Sequence, residues 1–325
     1  MSKLIVANWK SNFNLTQTAT WLEQFFQLCS NDPLQLTAAD LEVVLAPPFP
    51  LIFPVKQWLE QTTAILADAI ETHQAQTNQS SSTNSGNQDQ NSQSNQIQTQ
   101  SVNQVSQNQV QAENQATSNQ TQPANQPNQN QTQTESRNQT DLQLANQLLS
   151  DFAQIGLAAQ NVSQFSSGQY TGAVCTDNLI ELSVKHIIVG HSERRRFFGE
   201  SSEVVAHKVG QAVSSGFTPL VCVDQDQIKN QADQIKQLNP ELLSRTIVAY
   251  EPTRLIGSGQ AADPNQVQAV ANQIKSEFGQ LPVIYGGSVT ADNVSQYLAI
   301  TDGVLVGGAS LDPSKFIKLI LAAQT

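Results

Sequence analysis

Three side chains in this 325-residue sequence could together move a proton beside an anion: Lys10, His191 and Glu251. The apolar run His186-Ile187-Ile188-Val189-Gly190 is short and β-branched, as a buried strand is. Polar, helix-compatible sequence begins at His191-Ser192-Glu193-Arg194-Arg195, so His191 is expected where a strand ends and a helix starts. Backbone N–H groups and the positive end of a helix dipole lie at such a junction. They would lower the imidazole pKa and keep the ring neutral, able to donate a hydrogen bond to a developing oxyanion. Lys10 offers a point charge two residues past Asn8, so both side chains can face one mouth across a strand pleat. Glu251 offers a carboxylate just before Pro252, whose ring restricts the Glu251 backbone. Each has a plainer reading alone: a packed histidine, a surface lysine, an ion-paired strand-end carboxylate. Their joint placement decides between the two.

That placement follows from the elements. Strands are predicted at Leu4–Ala7, Glu42–Ala46, Ile155–Ala159, Ile187–Val189, Pro219–Val223, Thr246–Tyr250, Val283–Tyr285 and Val304–Val306, with helical patterns between them. Trp21, Leu22, Phe25, Phe26 and Cys29 share one helix face, as do Val55, Trp58, Leu59, Leu66, Ala69, Ile70 and His73. Eight strand–helix units predict an α/β fold, a closed eight-stranded parallel (β/α)8 barrel rather than an open sheet. In such a barrel the strand C-termini carry the site. Strand one then delivers Asn8 and Lys10, strand four His191, strand six Glu251, strand seven Gly286-Gly287-Ser288 and strand eight Gly307-Gly308. The glycine pairs, each expected to open a helix, allow close backbone approach to an anion. Alone each pair reads as a tight turn; after the last two strands they match the usual phosphate site of such barrels.

From Thr72 to Thr140 the composition breaks: Gln, Asn, Ser and Thr dominate, and no aromatic residue occurs. Too few aliphatic side chains remain to offset the entropy of ordering, so residues 73–140 are expected to be a disordered low-complexity insertion between the second helix and third strand. Residues 1–72 and 141–325 would form the barrel, which is ~250 residues in this architecture. Leu142, Ala145, Leu148, Leu149 and Phe152 restore helical spacing beyond the tract. A net charge of −11 argues against a nucleic-acid or acidic-membrane partner, so an anionic substrate needs a locally positive pocket. Cys29, Cys175 and Cys222 are odd in number and far apart, which fits a reducing compartment better than a disulfide framework. No apolar run approaches membrane-spanning length, and Met1-Ser2-Lys3 leads directly into Leu4–Ala7, so a soluble cytoplasmic protein is expected.

The sequence resembles the triosephosphate isomerases. The motifs are Asn8-Trp9-Lys10, Ala158-Ala159-Gln160-Asn161, Tyr170-Thr171-Gly172, His191-Ser192-Glu193-Arg194-Arg195, Phe198-Gly199-Glu200, Ala249-Tyr250-Glu251-Pro252, Ile256-Gly257-Ser258-Gly259, Tyr285-Gly286-Gly287-Ser288-Val289 and Gly307-Gly308-Ala309-Ser310. They stand in family order along the whole chain except the polar tract. The resemblance implies interconversion of glyceraldehyde 3-phosphate and dihydroxyacetone phosphate through an enediolate. Glu251 would be the base and neutral His191 the electrophile and proton shuttle; this family is the standard illustration of that pairing. Lys10 and Asn8 would hold substrate and stabilise the enediolate, with Glu193 in support. Backbone N–H groups of Gly257, Ser288, Gly307 and Gly308 would bind the phosphate, with no cofactor and no metal. The loop after Glu251 would close over the phosphate and exclude water.

The Ser166–Thr176 segment resembles the loop that completes the neighbouring subunit's site, so a homodimer with Thr171 as a contact is implied. The sequence departs from the family pattern at Thr253-Arg254, where an aliphatic residue and Trp are common, and at Gln260-Ala261-Ala262. It departs again at Cys222-Val223-Asp224, where Cys-Ile-Gly-Glu is usual. Closure and local packing are the properties these departures touch. The insertion has no partner legible in its sequence; it reads as a tolerated expansion, with self-association of a Gln/Asn-rich segment as the alternative. A different phosphate-binding barrel enzyme, or an interaction protein built on a barrel scaffold, are the competing readings, and the intact trio of Lys10, His191 and Glu251 argues against both.

Overall fold

In the computed structural model the chain forms a closed barrel of eight parallel strands. The structure describes residues 2–36, 39–83, 130–255 and 259–324. The order begins β1 (Lys3–Asn8), α1 (Leu15–Asn31), β2 (Leu41–Ala46), α2 (Phe49–Thr83), α3 (Asn130–Gln154), β3 (Gly156–Ala159) and α4 (Asp177–Ile180). It continues with β4 (Val184–Val189), α5 (Ser192–Phe198), α6 (Ser202–Ser214), β5 (Thr218–Val223), α7 (Ile228–Leu238) and β6 (Ile247–Tyr250). The last third holds α8 (Pro264–Phe278), β7 (Val283–Tyr285), α9 (Val294–Leu298), β8 (Gly303–Val306) and α10 (Pro313–Ala322). Each strand pairs with its sequence neighbours, and β8 closes on β1 through Leu4↔Gly303 and Ala7↔Val306. All eight predicted strands are present.

Strand parity explains both the core and the mouth. Side chains alternate between the barrel interior and the helix layer. Leu4 and Val6 of β1, Leu220 and Cys222 of β5, and Ile247 and Ala249 of β6 fill the interior, together with residues of the other five strands. The next inward positions along those three strands are Asn8, Asp224 and Glu251. Polar groups therefore replace apolar ones where the interior reaches the C-terminal mouth. Burial on both faces is why the strands read as continuous apolar runs.

Helix starts follow their caps. Asn14 opens α1 with a reciprocal capping box to Gln17, and Trp21, Leu22, Phe25, Phe26 and Cys29 are buried as their spacing predicts. Asp263 caps α8 and Asp312 caps α10, each followed by proline at the first helical position.

The chain divides into two compact units, Met1–Trp58 with Gln154–Thr325, and Leu59–Ala153. The first contains every strand. Inside the second, α2 runs to Thr83 and α3 starts at Asn130, so helix enters both edges of the tract expected to be disordered. Glutamine is a fair helix former, and extending a nucleated helix costs far less than starting one. Composition underweighted that effect. The remainder of the tract, with Val102, Val105 and Val110, lies outside the described residues. Among the described residues no helix is long and apolar enough to cross a membrane.

Candidate active site

The β4–α5 junction sets the position of His191. It is the N-cap of α5, with φ −50° and ψ 142°, and its Nδ1 accepts from the Glu193 N–H at 3.3 Å. An accepting Nδ1 leaves the ring proton on Nε2, which lies 2.9 Å from Glu251 Oε1. The second carboxylate oxygen, Oε2, accepts from the Ser192 N–H at 2.9 Å. Glu251 is 2% exposed and His191 6%, so this pair is shielded from water.

The electrostatics depart from expectation in one respect. Burial pulls the His191 pKa down, but the charge and hydrogen bond of Glu251, with Glu193 behind, outweigh it and hold the pKa above the ordinary histidine value. The depression predicted from the helix N-terminus alone is thus reversed in this resting arrangement, because the carboxylate is docked on the ring. Burial likewise pushes Glu251 up, while the charge and hydrogen bond of His191 and the Ser192 N–H bring it below the ordinary carboxylate range. Behind them, burial and then Glu251 raise the Cys222 thiol far above its ordinary pKa, leaving it a neutral packing group.

Lys10 reaches the same mouth from β1. Its Nζ lies 2.5 Å from Glu193 Oε1, and Glu193 Oε2 is 3.7 Å from His191 Nδ1. The Lys10 backbone is left-handed, φ 53°, a conformation that costs a non-glycine residue about 1–3 kcal/mol. Two bonds hold it there. The Lys10 N–H donates to Asn8 Oδ1 at 3.0 Å, and the Lys10 carbonyl accepts from Gln160 Nε2 at 2.7 Å. Gln160 also donates to the Ala46 carbonyl at 2.8 Å, tying the ends of β1, β2 and β3 together. Its motif marks Gln160 in the sequence, yet nothing there announces this role.

The glycine pairs behave differently from each other. A Cβ on Gly307 would sit 3.6 Å from Lys10 Cε, which puts the end of β8 against the lysine stem. A 3-10 turn, Gly308–Leu311, follows it directly. After β7, by contrast, α9 begins only at Val294, so Gly286-Gly287-Ser288 opens a turn and not the expected helix. A Cβ on Gly286 would press on Glu251 Cγ at 3.0 Å, and one on Gly287 would collide with the Tyr285 hydroxyl. That hydroxyl accepts from the Ala262 N–H at 2.9 Å, and Tyr297 donates to the Ala262 carbonyl at 2.6 Å, with the two rings stacked. Tyrosines of β7 and α9 thereby clamp the far end of the segment that follows Glu251. Gly257, with Ile256 and Ser258, lies outside the described residues.

Thr171 does not join this group. It is exposed in a loop beside a cleft of about 590 Å3 that also includes Phe165, Tyr170, Arg194 and Lys208. Phe165 and Tyr170 stack at 4.4 Å and are 44% and 45% exposed. Beneath, the buried Lys208 ammonium meets Glu200 Oε1 at 2.5 Å and Asn161 Oδ1 at 2.7 Å. Among the described residues no group of three or more His, Cys, Asp or Glu side chains is placed to hold a metal ion. The arrangement at the mouth can exchange protons between a carboxylate and an imidazole while an ammonium neutralises an anion beside them.

Comparison with known proteins points the same way. The profile of the family described as Triosephosphate isomerase matches residues 3–83 and 98–323. A triosephosphate isomerase from Alkalilimnicola ehrlichii is 39% identical over 196 residues, 54% of this chain and 78% of the relative. One from Paracidovorax citrulli is 40% identical over 189 residues, covering 52% and 75%. One from Mesomycoplasma hyorhinis is 42% identical over 176 residues, covering 50% and 72%.

Proposed function

This chain belongs to the triosephosphate isomerase family, and from that premise we propose how its residues carry the reaction. The reaction interconverts D-glyceraldehyde 3-phosphate and dihydroxyacetone phosphate, a step of glycolysis and gluconeogenesis. In our reading Glu251 takes the proton from the carbon beside the carbonyl, and the lowered pKa keeps it ionised and ready at neutral pH. The His191 Nε2–H, now donated to Glu251, passes to the substrate oxygens when the carboxylate turns away. Loss of that carboxylate leaves burial as the largest influence, lowering the imidazole pKa together with Lys10 against the smaller opposing pull of Glu193, so His191 works as the neutral acid. Lys10 and Asn8 meet the developing enediolate charge, and Glu193 orients the ammonium. Backbone N–H groups of Ser288, Gly307 and Gly308, with Gly257, bind the phosphate.

The observation that carries this reading is the 2.9 Å contact of His191 Nε2 with Glu251 Oε1 at a mouth that also holds Lys10. Proton exchange tests it. In D2O the substrate carbon should acquire deuterium during turnover, detected by proton NMR, and Glu251→Gln should abolish the exchange. Undiminished exchange in that variant would remove Glu251 from the role of base.

The exposed Phe165–Tyr170 stack beside Thr171 supports a homodimer through this loop, which sedimentation velocity would read as a two-chain species. We assign the chain to the cytoplasm, consistent with a glycolytic step. Residues 73–140 are read as a tolerated insertion in the barrel formed by 1–72 and 141–325, since every proposed catalytic residue lies in the unit of Met1–Trp58 and Gln154–Thr325.

A further inference from the structure

Two positions where this chain departs from the family pattern, Asp224 and Thr253, meet in the fold. Asp224 directly follows β5 and caps the 3-10 turn Gln225–Gln227 reciprocally. Its Oδ1 accepts from the Gln225 N–H at 2.7 Å, and Gln227 Oε1 accepts from the Asp224 N–H at 3.1 Å. The cap fixes the carboxylate so that the other oxygen, Oδ2, faces the segment after Glu251. Oδ2 accepts from the Thr253 N–H at 3.2 Å and from the Thr253 hydroxyl. Thr253 stands two residues beyond Glu251, and the proline between them has its φ locked by its ring. The segment 251–253 is therefore a stiff arm with a carboxylate at one end and a tether at the other.

The tethered arm is in a resting pose. Both Glu251 oxygens are committed, one to His191 Nε2 and one to the Ser192 N–H, so the base must turn to reach a substrate carbon. We propose that Asp224 is a positioning residue, which holds the Glu251 arm at rest through Thr253 and releases it as the base turns toward substrate. The inference rests on Glu251 being the base. Two charge-assisted hydrogen bonds at an exposed site can bias such an equilibrium by about three- to tenfold.

Binding of 2-phosphoglycolate, a non-isomerisable phosphate whose carboxylate mimics the charge and planarity of an enediolate and so should select the turned base, reads the bias. Thr253→Val removes the hydroxyl donor, and Thr253→Ser retains it. Asp224→Asn keeps an oxygen for the cap, since asparagine caps as well as aspartate, but sets an amide N–H against that of Thr253. The valine and asparagine variants should bind about three- to tenfold more tightly than wild type, with the serine variant matching it. The double variant Asp224→Asn/Thr253→Val should bind no more tightly than the tighter single one, because both break one tether. A merely structural role predicts the opposite sign, weaker binding in each. Wild-type affinity in Thr253→Val, weaker binding, or additive gains would overturn the proposal while wild-type turnover left the isomerase reading intact. A wild-type chain with no turnover would overturn that reading and the tether with it.

Discussion

His191 shows how strongly one neighbour decides a residue's chemistry. With Glu251 docked, its pKa lies above the ordinary value; the groups that would remain once the carboxylate turned away are burial and Lys10, which lower it, against the weaker pull of Glu193. The account therefore predicts that 2-phosphoglycolate lowers the His191 pKa, measured by NMR titration of the ring Cε1 proton in free and bound protein. The sign follows from the pair: removing the anion that stabilises imidazolium shifts the titration to lower pH. A bound-state pKa equal to or above the free one would contradict the proposed role. Much of this site was legible in the sequence. Asn8 and Glu251 are found by continuing inward strand parity past Val6 and Ala249, and His191 by the change from strand to helix pattern. Gln160 and the Tyr285–Tyr297 clamp on Ala262 were not legible in that way, because their partners are backbone groups 23 to 150 residues away and no local pattern encodes them.

At the scale of elements, strands β2 and β4 are clamped across the short β3 at the N-terminal end of the barrel. Glu42 Oε1 lies 2.5 Å from Lys185 Nζ and 3.2 Å from His186 Nε2. The hydrogen bond from His186 is the largest influence, and with Lys185 it lowers the Glu42 pKa to about 2 despite partial burial. A carboxylate depressed in the fold stabilises it above the unfolded pKa, and this contribution is lost as pH falls through the folded value. Thermal melts of wild type and Glu42→Gln should thus differ most near neutrality. Their midpoints should converge between roughly pH 4.5 and pH 2. A gap independent of pH would contradict the clamp. The register of β3 on β4 slips between Leu157 and Ala158, beside Lys185, an irregularity that an apolar pattern does not reveal. The helices flanking the polar tract illustrate another limit. Their ends, Thr83 in a serine run and Asn130 among glutamines and asparagines, carry no capping or apolar signal from which a boundary could be read.

For the molecule as a whole, a net charge of −11 means that an anionic substrate depends on local cationic and N–H groups, and Lys10 stands at the mouth where they are needed. Lys10 stands there with its backbone in the left-handed region, and Glu193 pairs with its ammonium. Closure of the barrel brings Lys10, His191 and Glu251 together from positions spread across the chain. Gly303 makes that closure possible, since a Cβ there would collide with the Leu4 carbonyl on the neighbouring strand. Barrel topology was predictable because eight apolar runs alternate with helical spacing, whereas the Asp224–Thr253 tether depends on a juxtaposition that only the closed fold creates. The central claim is that Glu251, positioned by this fold, is the base of triose phosphate isomerisation. It is tested most directly by a coupled assay of glyceraldehyde 3-phosphate turnover, comparing wild type with Glu251→Asp. Shortening the arm by one methylene should lower kcat by about 100-fold or more while the thermal midpoint stays near that of wild type. Wild-type kcat in the folded aspartate variant would contradict the account.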